Sequence, residues 1–263
     1  MLMRYAMTGA GQVHVREWGV PAAPLLVLVH WTPLSGRMFE TLGPRLAQAG
    51  WRVMAPDLPG YGRSVARGLD WRVEDWAAAL VEVVGDAGPA VVLGGHAGAS
   101  VAVEMALGWP GRVRALVLNG CPFLTPELRT ALAGLARMGR PAGEGLEGLE
   151  RLAWDRAAGL LREYGVAPTP ERVWPVMIDY LETDFVSSGP VLASHDLQAR
   201  LPQLTQPVLL LGADGDSLAA SLEVARGLLP GAAWHRFSGA EPVHFAERVD
   251  EFLAPVSAFL ERL

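Results

Sequence analysis

Five consecutive apolar residues, Leu25-Leu26-Val27-Leu28-Val29, do not suit a half-exposed strand, where alternate side chains would meet water. They suit a strand buried on both faces, which requires helices above and below its sheet. Similar runs recur at Ala90-Val91-Val92-Leu93, Ala115-Leu116-Val117-Leu118 and Val208-Leu209-Leu210-Leu211. Shorter strand patterns stand at Arg52 to Ala55 and Ala233 to Phe237, and Val13 to Glu17 alternates weakly, as an edge strand would. Helical spacing fills the intervals: Met38 to Ala49, Val73 to Val84, the stretch up to Trp109, Leu218 to Leu229 and Ala246 to Leu263. This alternation predicts an α/β fold with a mostly parallel central sheet covered on both faces. With 263 residues, 51% hydrophobic and 19% charged, the chain has enough apolar material for one large core.

The alternation pauses between about Pro122 and Gln206. That stretch is helix-like, holds Trp154 and Trp174, and is broken by Gly139 to Gly148 and by Pro168, Pro170 and Pro175. The sheet pattern resumes beyond it, so residues 1–121 and 207–263 are expected to form the core and 122–206 a helical lid inserted into it. The net charge of −6 comes with 22 basic residues, all of them Arg and none in runs, which argues against a nucleic-acid partner. Cys121 stands alone, so neither a disulfide framework nor a cysteine zinc site is expected. Met1-Leu2-Met3-Arg4-Tyr5 lacks a positively charged segment followed by an apolar stretch, so no signal peptide is expected, and the apolar runs are too short to span a bilayer. The expectation is a cytoplasmic protein without a membrane partner; assembly as a homodimer stays open.

In a parallel sheet, ligands sit beyond the carboxyl ends of the strands. The loops there are His30-Trp31-Thr32-Pro33, Asp57 to Ser64, Gly94 to Gly98, Asn119-Gly120-Cys121-Pro122, Gly212 to Ser217 and Ser238 to His244.

Three segments of the chain carry a resemblance. Asp57-Leu58-Pro59-Gly60-Tyr61-Gly62-Arg63-Ser64, Pro110-Gly111-Arg112-Val113 with the strand after it, and Gln206-Pro207-Val208 with its strand are similar to motifs of the α/β-hydrolase family. The resemblance spans nearly the whole chain, and the helical insertion falls where that family carries its lid. It implies an α/β-hydrolase fold and an active site built on a sharp strand-to-helix turn of the form Gly-x-Ser-x-Gly. Here the frame reads Gly94-Gly95-His96-Ala97-Gly98, with His96 where the family has its serine. A second register, Gly95 to Ala99, would put Ala97 there instead. Neither supplies a serine, and Ser100 lies a turn further on, where its hydroxyl should point into packing.

The remaining site residues follow from the resemblance. The family's acid corresponds to Asp216, with Asp214 nearly as well placed. Its base position falls on Glu241, and a short loop shift would bring in His244. By analogy the oxyanion donors are the N–H groups of Thr32 and Ala97, with Trp31 narrowing the pocket beside them. Histidine's ordinary pKa of about 6.5 leaves it mostly neutral at pH 7. A helix N-terminus disfavours its cation further. A neutral imidazole at position 96 can therefore act as a general base, donate to an oxyanion or attack an acyl group.

Other readings are plainer. His30 braces its loop, Asp57 and Arg63 hold their turn, Cys121 is a buried thiol, and His14, His195 and His235 are surface or satisfied core residues. Glu241 reads slightly better as a solvated loop carboxylate than as a base, and Asp216 also suits the N-cap of the following helix. No spacing makes a metal site and no glycine loop cradles phosphate, so neither metal nor cofactor is expected. Two functions remain. One is an enzyme acting on a small apolar ester, lactone or carbonyl compound by His-centred acid–base chemistry, hydrolytic or as a lyase, cyclase or isomerase. The other is an inactive family member that binds a small molecule.

Overall fold

The computed structural model describes residues 1–66, 68, 70–134, 146–183, 188–244 and 248–263. It contains an eight-stranded sheet: β1 (Leu2–Thr8), β2 (Gly11–Trp18), β3 (Leu25–Val29), β4 (Arg52–Pro56), β5 (Ala90–Gly95), β6 (Val113–Asn119), β7 (Val208–Ala213) and β8 (Ala233–Phe237). The order is β1-β2-β4-β3-β5-β6-β7-β8, antiparallel from β1 to β4 and parallel from β4 to β8.

The continuous apolar runs divide by the pleat. Val27, Val29, Val92, Leu116, Leu118 and Leu210 pack on one face with Trp76 and Leu80 of α2 (Val73–Val84) and Val101 and Met105 of α3 (Ala97–Gly108). Leu26, Leu28, Val91, Leu93, Val117 and Leu209 pack on the other face with Leu42 and Leu46 of α1 (Leu42–Gln48) and Phe252 and Val256 of α10 (Val249–Leu260). Burying both faces is what permits these strands to lack polar residues.

Between β6 and β7 the chain forms α4 (Pro126–Ala133), α5 (Leu146–Glu163), α6 (Pro170–Glu182), α7 (Gly189–Ala193) and α8 (Leu197–Arg200). Of the expected break, residues 139–145 lie outside the described residues, and Leu146 to Gly148 already belong to α5. Leu161 of α5, Tyr164 just after it, and Val173 and Val176 of α6 pack with Trp31 and Leu34 of the core. Polar ties reinforce this contact. Asp179 of α6 accepts from the Ser35 N–H at 3.1 Å and hydroxyl at 2.7 Å, and Arg37 donates to Asp179 at 3.2 Å and to Glu182 at 2.9 Å. Helix α9 (Ser221–Leu228) follows β7.

Several expected elements change. The edge strand is β1, not Val13–Glu17; β2 lies inside, pairing Val15 opposite Pro56 of β4. β1 escapes pattern reading because its large apolar side chains, Leu2, Met3, Tyr5 and Met7, are exposed. β2 alternates weakly because its His14 and Arg16 are buried, both held by Asp57. The expected helix at Met38–Ala49 divides into a 3₁₀ turn at Gly36–Phe39 and α1. The helix expected from Leu218 begins at Ser221, and the closing helix at Val249.

Candidate active site

The turn between β5 and α3 positions the first candidate side chain. His96 stands between Gly95 and Ala97 with φ 49° and ψ −119°, a left-handed backbone uncommon for a residue with a Cβ. Its N–H donates to the Asn119 carbonyl at 2.9 Å, tying the turn to β6. The turn is crowded: a Cβ on Gly98 would come within 2.4 Å of the Val29 carbonyl oxygen. Of the two registers, the sharp backbone falls on His96, while Ala97 is the first residue of α3 and buried.

The His96 ring reaches sideways from the turn, with its Nε2 2.9 Å from Asp216 Oδ2. In the tautomer whose Nε2–H donates to this carboxylate, Nδ1 keeps a lone pair. Among the described residues no hydrogen bond reaches Nδ1. Trp31 stacks on the imidazole at 4.5 Å between ring centres and 23° between planes, and Tyr164 meets it edge-on at 5.0 Å. The side chain is 13% exposed.

Asp216 sits in the loop after β7. Its Oδ1 accepts from the Leu218 N–H at 2.6 Å while Oδ2 faces His96, so it holds its own turn and the ring together. Asp214, two residues earlier, is exposed and paired with Arg236 at 3.1 Å. The two candidate acids therefore separate, and only Asp216 meets the imidazole.

Glu241 corrects the expectation of a solvated loop carboxylate: it is 1% exposed. Asn119, the last residue of β6, donates from Nδ2 to Glu241 Oε2 at 2.9 Å. The other oxygens of this pair, Asn119 Oδ1 and Glu241 Oε1, are buried and have no partner among the described residues. Burial pushes the Glu241 carboxyl up to about 8; Asn119 works against the shift and the nearby Asp216 charge adds to it. His244 ends a 3₁₀ turn, Pro242–His244, and its side chain lies outside the described residues.

Trp31 is 1% exposed and lies directly on Gly95, where a Cβ would fall 1.3 Å from the indole nitrogen. The Thr32 hydroxyl meets that of Ser188 at 2.9 Å, linking the loop after β3 to the helical insertion. His30 is the brace expected: its Nε2 accepts from the Leu58 N–H at 2.8 Å and its Nδ1 contacts the Trp31 carbonyl at 3.0 Å. Burial lowers its pKa to about 4, so it is neutral. Burial pushes the Cys121 thiol up to about 12, which leaves it unreactive. Ser100 is buried on α3, and its hydroxyl has no partner.

Tyr164 and the Asn119 side chain were not among the residues singled out from sequence. Asn119 lay in a strand-end loop where ligands are expected. Tyr164 follows α5, far from the other site residues in sequence, and gave no local signal. No group of three metal-ligating side chains exists among the described residues. A cavity of about 690 Å³ lies between α6 and residues 34–41, lined by Leu34, Met38, Leu161, Trp174 and Val243 among others, but not by His96, Asp216 or Glu241.

Comparison with known proteins places this geometry. Residues 26–254 match the alpha/beta hydrolase family. The pimeloyl-acyl-carrier-protein methyl ester esterase of Aromatoleum aromaticum is 32% identical over 227 residues, covering 81% of this chain and 89% of that protein. The magnesium-chelatase 30 kDa subunit of Rhodobacter capsulatus is 29% identical over 259 residues, covering 88% and 84%. Among solved structures, the enol-lactonase from Burkholderia xenovorans LB400 superposes with a TM-score of 0.78 at 22% identity, over 98% of this chain and all of that one; this likeness concerns the fold alone. By sequence, the chain belongs to the alpha/beta hydrolase family.

Proposed function

We propose that this protein is an enzyme acting on a small, largely apolar ester, lactone or carbonyl compound through His96 and Asp216, without a serine nucleophile. In this reading His96 occupies the position of the family's nucleophile. The observation that carries it is the contact at 2.9 Å between His96 Nε2 and Asp216 Oδ2 at the strand-to-helix turn. Asp216 fixes the tautomer and stabilises the imidazolium when it forms.

In the hydrolytic form, Nδ1 removes a proton from a water molecule as that water attacks the carbonyl carbon. The N–H groups of Thr32 and Ala97 receive the oxyanion. The intermediate then collapses, the bond to the leaving oxygen breaks, and that oxygen takes up a proton. No cofactor takes part. Lyase, cyclase or isomerase chemistry would use the same base on a carbon acid, with Glu241 or His244 as its counterpart. The insertion 122–206 acts as the lid, and Trp31 restricts the pocket to small substrates. The protein works in the cytoplasm on a small molecule, as a monomer or homodimer.

The test is direct. Fluorophosphonate probes should leave the protein unlabelled, and His96→Ala should abolish turnover of p-nitrophenyl butyrate or a γ-lactone. Full activity in that variant overturns the reading.

A second reading, a small-molecule binder without turnover, is favoured by Trp31. Its indole covers Gly95 and one face of His96 at 1% exposure, and the 690 Å³ cavity does not include His96 among its lining residues. Saturable binding of esters or lactones, with no product at any pH, would support it.

A further inference from the structure

The Asn119–Glu241 contact holds a feature to which the hydrolytic steps above give no role. Asn119 Nδ2 donates to Glu241 Oε2 at 2.9 Å, which brings the amide and the carboxyl together. The second oxygen of each group is buried without a partner among the described residues. With Glu241 ionised, both orphans are acceptors and neither can satisfy the other. A single proton on Glu241 Oε1 changes this, because it turns one orphan into a donor and leaves Asn119 Oδ1 as the acceptor.

The charges facing Glu241 favour that proton. Asp216, from the loop after β7, opposes a second negative charge nearby, and its own partner is the His96 ring. Arg248, preceding α10, is the cation on this side. It donates to the Ala240 and Ser238 carbonyls and to Glu251, and so is committed elsewhere. Two neighbouring carboxyl groups held in different environments divide into an ionised one and a protonated one.

We propose that Asn119 and Glu241 form a closed acid–amide pair, with Glu241 Oε1–H donating to Asn119 Oδ1, and that this proton is the acid delivered to the leaving oxygen. Asn119 is then a positioning residue and Glu241 the proton donor. In hydrolysis, His96 Nδ1 takes a proton from water, the acyl–oxygen bond breaks, and its electron pair stays on the leaving oxygen. That oxygen accepts the Glu241 proton. The imidazolium and the Glu241 carboxylate left behind are reset by proton exchange through solvent. The donor role rests on the His96 reading above; the pair itself does not.

Infrared spectroscopy of the full chain at neutral pH tests the pair without any substrate. The wild type should show the carbonyl stretch of a protonated carboxylic acid, displaced by ¹³C labelling of glutamate and not of aspartate. The labelling needs no variant and separates Glu241 from Asp179, whose burial raises it to about 6. Glu241→Gln should remove the band. Asn119→Ala should move it to higher frequency, because the carbonyl loses its N–H donor. A missing band, or one unchanged by Glu241→Gln or Asn119→Ala, overturns the pair.

The donor role is read from two esters. p-Nitrophenyl butyrate has a leaving group that needs no acid, whereas ethyl butyrate requires one. Glu241→Gln should lower kcat for the ethyl ester by about 10²-fold more than for the p-nitrophenyl ester. Equal losses overturn the donor role. A protein that turns over neither ester overturns the hydrolytic reading and the donor role with it, while the infrared result still decides the pair.

Discussion

Among the described residues three histidines meet a carboxylate at nearly equal distance: His14 with Asp57 at 2.9 Å, His195 with Glu104 at 2.8 Å and His96 with Asp216 at 2.9 Å. The first two are closed by an arginine. Arg16 donates to Asp57 at 2.8 Å, and Arg200 grips both oxygens of Glu104 at 2.8 and 2.7 Å. Asp216 has no arginine partner among the described residues. Burial alone would push Glu104 up, yet the hydrogen bonds from His195 and Arg200 hold it at about 2. A carboxylate neutralised in this way has nothing left to offer a reaction. The His96–Asp216 contact lacks that arginine and lies beside a ring 13% exposed, and the proposed reading assigns this pair, not the other two, to chemistry. The distance does not distinguish structure from chemistry; the third partner does.

The largest expected effect separates these pairs. Asp216→Asn should cut kcat by about 10²- to 10⁴-fold with the fold intact, as measured by steady-state kinetics alongside circular dichroism. Glu104→Ala should do the reverse. It leaves His195 and Arg200 without their shared anion and should cost about 3–5 kcal/mol in urea unfolding, while the folded fraction keeps its kcat. If Glu104→Ala removed activity, the division between structural and reactive pairs would fail.

A pH series sharpens the contrast further. The folded protein holds a proton at Glu241 that the unfolded chain releases above its ordinary value of 4.5. Stability from that difference is full below pH 4.5 and is lost as pH rises through about 8. Glu241→Gln should flatten the fall of Tm over this window. On the acid side His30 acts in the opposite direction: buried and neutral, it contributes stability that is lost as pH falls from 6.5 through about 4. The smallest effect belongs to the surface. Arg45 and Asp250 pair in solvent, so Asp250→Asn should change unfolding free energy by less than about 1 kcal/mol.

Much of the sheet was legible because double burial writes itself as unbroken apolar runs, as at Leu25 to Val29. β1 was not, since its large side chains face water and its pattern inverts the usual one. The turn at Gly94 to Gly98 was legible because steric crowding is local and demands small residues in fixed places. Asp216 was preferred only narrowly over Asp214, because Arg236 on β8, which holds Asp214, lies 22 residues away. Glu241 was misjudged for the same reason: a loop carboxylate looks solvated until Asn119, on another strand, covers it. Tyr164 reaches the ring from the end of α5, a placement no local pattern encodes.

The backbone at His96 carries one more consequence. At φ 49° a side chain is strained, at a cost on the order of 1–3 kcal/mol, and glycine would relax it. His96→Gly should therefore unfold at a higher temperature than His96→Ala. The imidazole is held where the polypeptide alone would prefer none, so resilience and reactivity compete for a single position.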